Sequence, residues 1–272
     1  MKQKIDWGLK FWREVFKLES LHFGYWENIK EINLENLRIA QKNYIQKLIH
    51  LFPKNVKMVL DVGAGTGEVA KELISRGYYV ESVSPDPYQQ QIFSQKCPQT
   101  KFYLSKFEDL SLQEDKKFDL ILMAESCQYL NLDLAFKNCQ KLLSDNGKIL
   151  ICDYFRKQNI SYYKTTHVWQ DFIFYAEKNK FKIIYEEDIT NYVLPTLTLG
   201  KNYYTQYVLP ILEIISGYLS EKIPIISKIA NFIFYKKIKK LKYYLYEHTK
   251  DKLDTQKFLE FMQYKIVILQ RN

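Results

Sequence analysis

The chain has 272 residues, 47% of them hydrophobic and 26% charged, enough for one large α/β domain or for one core domain with an elaborated cap, and this excludes wholesale disorder. The formal net charge is +9, but acidic residues are interspersed with the basic ones nearly everywhere, which reads as a lysine-rich solvated surface rather than a nucleic-acid face. The four cysteines, Cys97, Cys127, Cys139 and Cys152, have no CxxC spacing, so zinc and redox motifs are unsupported and no metal site is expected.

In chain order, residues 1–52 read as helices. Leu34, Leu37, Ala40, Tyr44, Leu48 and Leu51 fall at helical spacing, and Pro53 ends the run. The beginning of the chain lacks the apolar stretch of a signal peptide, and no apolar run reaches the roughly 18 residues of a membrane span, so a cytoplasmic location is expected. Reduced core thiols fit that compartment. Residues 57–62 form a short apolar strand that runs into a glycine-rich turn. A helix over 67–75 stops near Gly77, and a strand over 78–83 ends at Ser84-Pro85. Then come a helix at 88–95, a strand at 101–104 and an apolar run at 118–123. A helix at 132–143 leads to the turn Ser144-Asp145-Asn146-Gly147 and a strand at 148–153. A helix at 168–178, a strand at 181–187 and a last strand at 264–270 complete the pattern. Strands alternating with helices predict a parallel sheet covered on both faces. The last two strands are separated by residues 189–263, which read as helical at 208–219, 225–235, 236–246 and 255–262. The resulting division is an N-terminal helical cap (1–52), a core (53–188 and 263–272) and a helical insert or lid (189–262).

The informative segment is Asp61-Val62-Gly63-Ala64-Gly65-Thr66-Gly67, set between an apolar strand and a helix. Gly63 and Gly65 permit tight turning and close approach of backbone to a ligand, and Gly67 permits close packing of helix on strand. A phosphate loop is excluded because no Gly-Lys-Ser/Thr follows, and dinucleotide dehydrogenases space their third glycine differently. The segment resembles the first motif, (D/E)xGxGxG, of the class I S-adenosylmethionine-dependent methyltransferases of the small-molecule type, and the resemblance covers roughly residues 20–190 and the last strand. It implies a Rossmann-like, doubly wound sheet of seven strands with the last strand antiparallel. It also implies S-adenosyl-L-methionine as cofactor and S-adenosyl-L-homocysteine as its product.

Through the same resemblance, Asp61 and the backbone of Gly63, Ala64, Gly65 and Gly67 would contact the methionine part of the cofactor. The end of the second strand normally carries an acid for the ribose. Here it reads Ser84-Pro85-Asp86, with one neutral hydroxyl at that place and Asp86 as a possible substitute two residues on. Phe107 would pack on adenine, with Glu108 or Asp109 accepting from its amine. Ala124 and Glu125, after the fourth strand, would face the transferred methyl. Leu21-His22-Phe23-Gly24-Tyr25-Trp26 resembles a segment that closes over the cofactor in several small-molecule methyltransferases, which adds Tyr25 and Trp26 to the cofactor contacts.

A base is needed only where the acceptor must lose a proton. The candidates are His22, Glu125 and His167, in that order; the acid lies at the carboxyl end of a central strand, where open α/β sheets bind ligands. The stretch 225–246 carries Lys236, Lys237, Lys239 and Lys240 among apolar residues. It reads as a packed pair of helices with a lysine face, a lid over an apolar substrate, or a basic amphipathic helix making peripheral contact with an anionic membrane. The leading functional expectation is methylation of a small, apolar or amphipathic metabolite at O, N or C. The alternatives are an RNA methyltransferase and a non-catalytic protein that binds S-adenosylmethionine. Nucleic acid is not expected as a partner, since no appended RNA-binding module is present.

Overall fold

The computed structural model describes residues 7–20, 22–113, 115–160, 163–223 and 249–272, together with 236, 239, 240, 243 and 246. The basic apolar stretch 225–246, with its expected helices and membrane contact, therefore lies for the most part outside the described residues. Among the described residues no helix is long and apolar enough to cross a membrane.

Seven strands form one sheet: β1 (Met58–Val62), β2 (Tyr79–Ser84), β3 (Lys101–Leu104), β4 (Phe118–Ala124), β5 (Leu143–Arg156), β6 (Phe181–Asp188) and β7 (Met262–Arg271). Their order is β3-β2-β1-β4-β5-β7-β6. The first five run parallel, and β7 lies antiparallel between β5 and β6. This is the topology that the resemblance implied.

Alternation along the strands decides the layers, because successive side chains point to opposite faces. Val59, Leu120, Leu122, Leu150, Ile266 and Ile268 pack with Tyr44 and Leu48 of α2 (Leu34–His50) and with Leu73 of α3 (Glu68–Ser75). Leu60, Val62, Ile121, Met123, Ile149, Ile151, Val267 and Leu269 face the other way. They meet Phe136 and Cys139 of α5 (Leu132–Leu142) and Phe172 and Ala176 of α6 (Trp169–Lys178). Each fully buried side chain of this size contributes roughly 1.5–3 kcal/mol, so the two layers fix the sheet between them.

Several expectations are corrected. The region 1–52 is not helical throughout: α1 (Trp7–Phe16) and α2 are joined by irregular backbone, and Asn33 caps α2 by accepting from Asn36 N at 2.8 Å. The turn at 144–147 sits inside β5, as an irregularity between the pairs Phe118–Leu143 and Leu120–Lys148. The helix α7 (Thr190–Tyr203) is absent from the sequence reading, for a physical reason. It contains Thr, Asn, Gly and Pro195, all weak helix formers. Burial of Val193, Leu197 and Leu199 holds it, so tertiary packing overrides propensity. After it come a π-helical turn, Tyr204–Val208, then α8 (Leu209–Lys222), a single helical turn at Thr249–Lys252 and α9 (Thr255–Phe261), which leads into β7.

The chain leaves β1 toward β2 on one side and returns to β4 on the other. That reversal opens a crevice at the carboxyl ends of β1 and β4, the place where open α/β sheets bind ligands.

Candidate active site

A cleft of ≈ 620 Å³ occupies the crevice and runs over the ends of β2, β1, β4 and β5. Its floor is the glycine turn. Gly63 has φ +79°, and a Cβ there would lie 2.3 Å from Ser126 Cβ; Gly67 has φ +89°, and its Cβ would lie 2.9 Å from Phe93. Only glycine serves at both places, because left-handed backbone and close approach coincide. Ser126 ties the turn to β4 by donating to Val62 O at 2.5 Å.

Asp61 points into this space from β1. It is 2% exposed, and its Oδ2 has no partner. Burial without compensation raises its carboxyl to about 7. A buried carboxylate oxygen left without a donor is rare in folded proteins and asks for an explanation. A cationic ligand group supplies one.

At the end of β2, Ser84 donates to Gln89 Oε1 at 2.6 Å. Asp86 caps α4 (Pro87–Lys96) through Oδ1, which accepts from Tyr88 N at 2.8 Å and Gln89 N at 3.4 Å. Ser84, Pro85, Asp86 and Gln89 all line the cleft, so Gln89 joins this corner unannounced by the motif. The signal for it was its place one turn into a helix that starts at the cleft. Phe107 is buried and lines the cleft together with Glu108, whose Oε1 accepts from Asn131 N at 2.8 Å. Asp109 is not part of the lining.

The β4 end is built differently. Glu125 has φ +57°, so the chain turns sharply after Ala124, and its N–H donates to Cys152 O at 2.8 Å. Its carboxylate Oε1 accepts from Phe23 N at 2.5 Å and from the Tyr264 hydroxyl at 2.6 Å. Burial pushes this carboxyl up to about 8, against the opposing pull of those two hydrogen bonds. Phe23, Tyr154, Tyr129 and Leu130 supply an apolar wall beside it.

The irregular segment between α1 and α2 covers the cleft. Thr66 donates to Glu19 O at 2.6 Å, and Gln41 donates to Ser20 O and His22 O at 3.0 and 2.9 Å. His22 lines the cleft and stacks on Tyr44 at 4.6 Å. Its Nδ1 pairs with Phe23 O, and burial lowers the imidazole to about 4. Such a ring is neutral at physiological pH and a weak base. His167 is not among the lining residues; its Nε2 lies 3.1 Å from Cys127 O, behind the cleft wall. Tyr25 and Trp26 are also outside the lining. Tyr25 packs on Tyr192, and Trp26 donates from Nε1 to Thr196 Oγ1 at 2.8 Å, so both fasten the covering segment to α7 instead. Tyr154 and Tyr264 were missed by the sequence reading, which gave Phe23 only as part of the covering segment. No local pattern marks the two tyrosines, since Tyr264 and Glu125 are 139 residues apart.

Among known proteins, the family model Methyltransf_11, described as a methyltransferase domain, matches residues 60–151. An uncharacterized methyltransferase of Mycobacterium tuberculosis (strain ATCC 25618 / H37Rv) is 30% identical over 99 residues, 36% of this chain and 40% of that protein. The match thus spans about two fifths of that relative's length. A putative methyltransferase of Geobacillus sp. (strain WCH70) is 27% identical over 171 residues, 60% of this chain and 66% of the other. Solved structures share the fold at low identity. The [4+2]-cyclase SpnF has a TM-score of 0.69 at 14% identity, covering 96% of this chain and 91% of its own. Geranyl diphosphate C-methyltransferase from Streptomyces coelicolor A3(2), solved with Mg2+, geranyl diphosphate and S-adenosyl-L-homocysteine, has a TM-score of 0.68 at 13%, covering 96% and 92%. The cyclopropane synthase MmaA2 from Mycobacterium tuberculosis has a TM-score of 0.64 at 14%, covering 92% and 89%.

Proposed function

We propose, from the premise that this chain carries a class I S-adenosylmethionine-dependent methyltransferase domain, that it transfers a methyl group from S-adenosyl-L-methionine to a small, apolar or amphipathic molecule. The observation that carries the reading is the buried, unpartnered Oδ2 of Asp61 above the glycine turn.

The residues present fit the cofactor. Asp61 offers its amino group a carboxylate, and pairing there restores the charged form that burial disfavours. Gly63 and Gly65 bring bare backbone to the same end. Ser84, Asp86 and Gln89 offer polar atoms for ribose hydroxyls, and Phe107 offers a ring face for adenine. When bound, the cofactor supplies an activated methyl group on a sulfonium. The chain's own part is to hold the acceptor in line, exclude water and receive a proton. Positioning of this kind supplies on the order of 7–11 kcal/mol in well-oriented cases. Ser20, His22 and Phe23 line the cleft and help exclude water, with the backbone at Glu19, Ser20 and His22 held by Thr66 and Gln41. Glu125 is the group that receives a proton, at its carboxylate, since His22 and His167 are both lowered by burial. The apolar wall of Phe23, Tyr154 and Leu130 supports an apolar or amphipathic acceptor. The free, buried cysteines fit a reducing compartment such as the cytoplasm.

Calorimetric titration with S-adenosyl-L-homocysteine tests the reading. Saturable binding is expected for the natural chain, weakened in Asp61→Asn; a flat titration rejects it. A second reading, a non-catalytic protein that binds S-adenosylmethionine, has one specific observation in its favour, the neutral Ser84 hydroxyl at the corner where the resemblance expects an acid. It predicts cofactor binding without transfer of tritiated methyl to a small-molecule extract.

A further inference from the structure

The β4–β5–β7 end of the cleft has a charge pattern and hydrogen bonds of its own. Among the described residues lining the cleft, Lys106 is the one lysine or arginine, and it sits beside Phe107 at the β3 corner. No lining residue from β4 or β5 is basic, and His22 is neutral. At that end an anionic acceptor, such as a diphosphate, would meet the Glu125 carboxyl with no basic side chain among the described lining residues of β4 and β5 to offset its charge.

The Glu125 carboxylate is meanwhile held by two donors. Phe23 N and the Tyr264 hydroxyl both donate to Oε1, at 2.5 and 2.6 Å. The Tyr44 hydroxyl lies 3.3 Å from both Tyr264 Oη and Cys152 O, and its single proton serves one of these two acceptors while Tyr264 donates its own to Glu125. Tyr44 and Tyr264 are about 1% and 0% exposed. A buried tyrosine hydroxyl of this kind is kept for its hydrogen bond, because phenylalanine would fill the same volume without the polar atom.

Resting on the methyltransferase reading, we propose that the acceptor is an uncharged molecule presenting an O–H or N–H to Glu125, and that Tyr264 is the positioning residue that holds this carboxylate for the proton. The acceptor's X–H bond breaks with its proton passing to Glu125, which becomes a carboxylic acid. The electron pair on X forms the new bond to the methyl carbon. The carbon–sulfur bond breaks with its pair kept by sulfur, so the positive charge of the sulfonium and the negative charge of the carboxylate are both discharged.

The groups facing Glu125 decide how its protonation depends on pH. They are Tyr264 from β7, Tyr44 from α2, Cys152, Asp153 and Tyr154 from β5, and His22 from the covering segment, which stacks on Tyr44. Burial keeps the tyrosines and Cys152 protonated, and His22 neutral. Asp153 adds a repulsion and accepts from Gln128 N and Tyr154 N at 3.0 and 2.9 Å. Tyr264 opposes burial by donating to the charged form.

The test is an infrared titration of the carboxylic-acid carbonyl band on the full chain saturated with S-adenosyl-L-homocysteine. Glu125→Gln assigns the band. It is expected to vanish with a midpoint above the ordinary carboxylate range in the natural chain. Tyr264→Phe should move the midpoint upward. Replacing Tyr264 by 3-fluorotyrosine, a stronger donor of nearly the same shape, should move it downward, and this second variant decides the matter if the phenylalanine variant does not fold. A midpoint that stays put in the folded variants overturns the positioning role. Calorimetry with geranyl diphosphate and Mg2+ is expected to show no binding to the cofactor-loaded chain; micromolar binding overturns the uncharged acceptor. Failure of S-adenosyl-L-homocysteine to bind at the outset is a separate result, and it rejects the methyltransferase reading itself.

Discussion

The two halves of the cleft rest on different physics. Over β1 and β2, the groups come from one continuous stretch, Asp61 to Gln89, and act largely through backbone: left-handed glycines, a helix start and one orphaned carboxylate. Over β4, β5 and β7, they come from stretches far apart in sequence, and they meet only because Phe23, Cys152 and Tyr264 bond to Glu125. The first half resembles a fixed socket for a constant ligand. The second is an assembly of side chains whose chemistry changes with each substitution, which suits the part of an enzyme that chooses its acceptor.

That contrast is sharpest where the halves are perturbed separately. Glu125→Gln should lower methyl transfer to a small-molecule extract by roughly 10²–10⁴-fold, the usual range for a lost general base, while S-adenosyl-L-homocysteine affinity stays within about threefold. Equal loss of affinity and turnover would break the division between the halves.

Asp61→Asn should do the reverse, weakening cofactor affinity by roughly 10–100-fold, as expected for a lost charged hydrogen bond of about 1.5–3 kcal/mol. Its effect on stability carries the opposite sign. The Asp61 carboxyl rises from 3.8 to about 7 on folding, so the folded chain binds this proton more tightly than the unfolded one. Glu125 rises likewise, from 4.5 to about 8. Stability from these groups is therefore complete below pH 4 and falls as pH rises through 7 and 8. The melting temperature of the cofactor-free chain should decline between pH 5 and 8, and less steeply in Asp61→Asn. Parallel melting curves for the two proteins would mean that burial of Asp61 is relieved in solution.

Gly67→Ala should destabilise the fold by roughly 1–3 kcal/mol, because the new Cβ combines left-handed strain with a 2.9 Å contact to Phe93. Chemical denaturation measures it, and a neutral result would mean that the α3 start yields more easily than the socket picture allows. The smallest effect belongs to His167→Ala. Turnover should stay within about threefold, with a loss of stability near 1 kcal/mol from the bond to Cys127 O. A large loss of turnover would bring His167 back as a catalytic group.

Much of the sheet was legible because buried strands leave apolar runs and glycines punctuate them. Residues 101–104 and 118–123 reappear almost unchanged as β3 and β4. The turn Asp61 through Gly67 was legible for the same reason, since it is a local unit running from β1 to α3. The surroundings of Gln89 and His22 were not. Sequence cannot report that His22 stacks in a dry pocket on Tyr44, or that its imidazole falls to about 4 there. Nor could it show that Tyr25 and Trp26 fasten the covering segment to α7, a helix whose own residues argue against it.

The sequence by itself determined where strands and the nucleotide-type turn lie, because periodicity, apolar runs and glycine spacing are local properties of the chain. Only the tertiary structure decided which carboxylate is left without a partner, which is gripped by a tyrosine from the last strand, and which histidine is too dry to carry a proton. Those are consequences of burial and of contacts across more than a hundred residues, and protonation responds to surroundings rather than to neighbours in sequence.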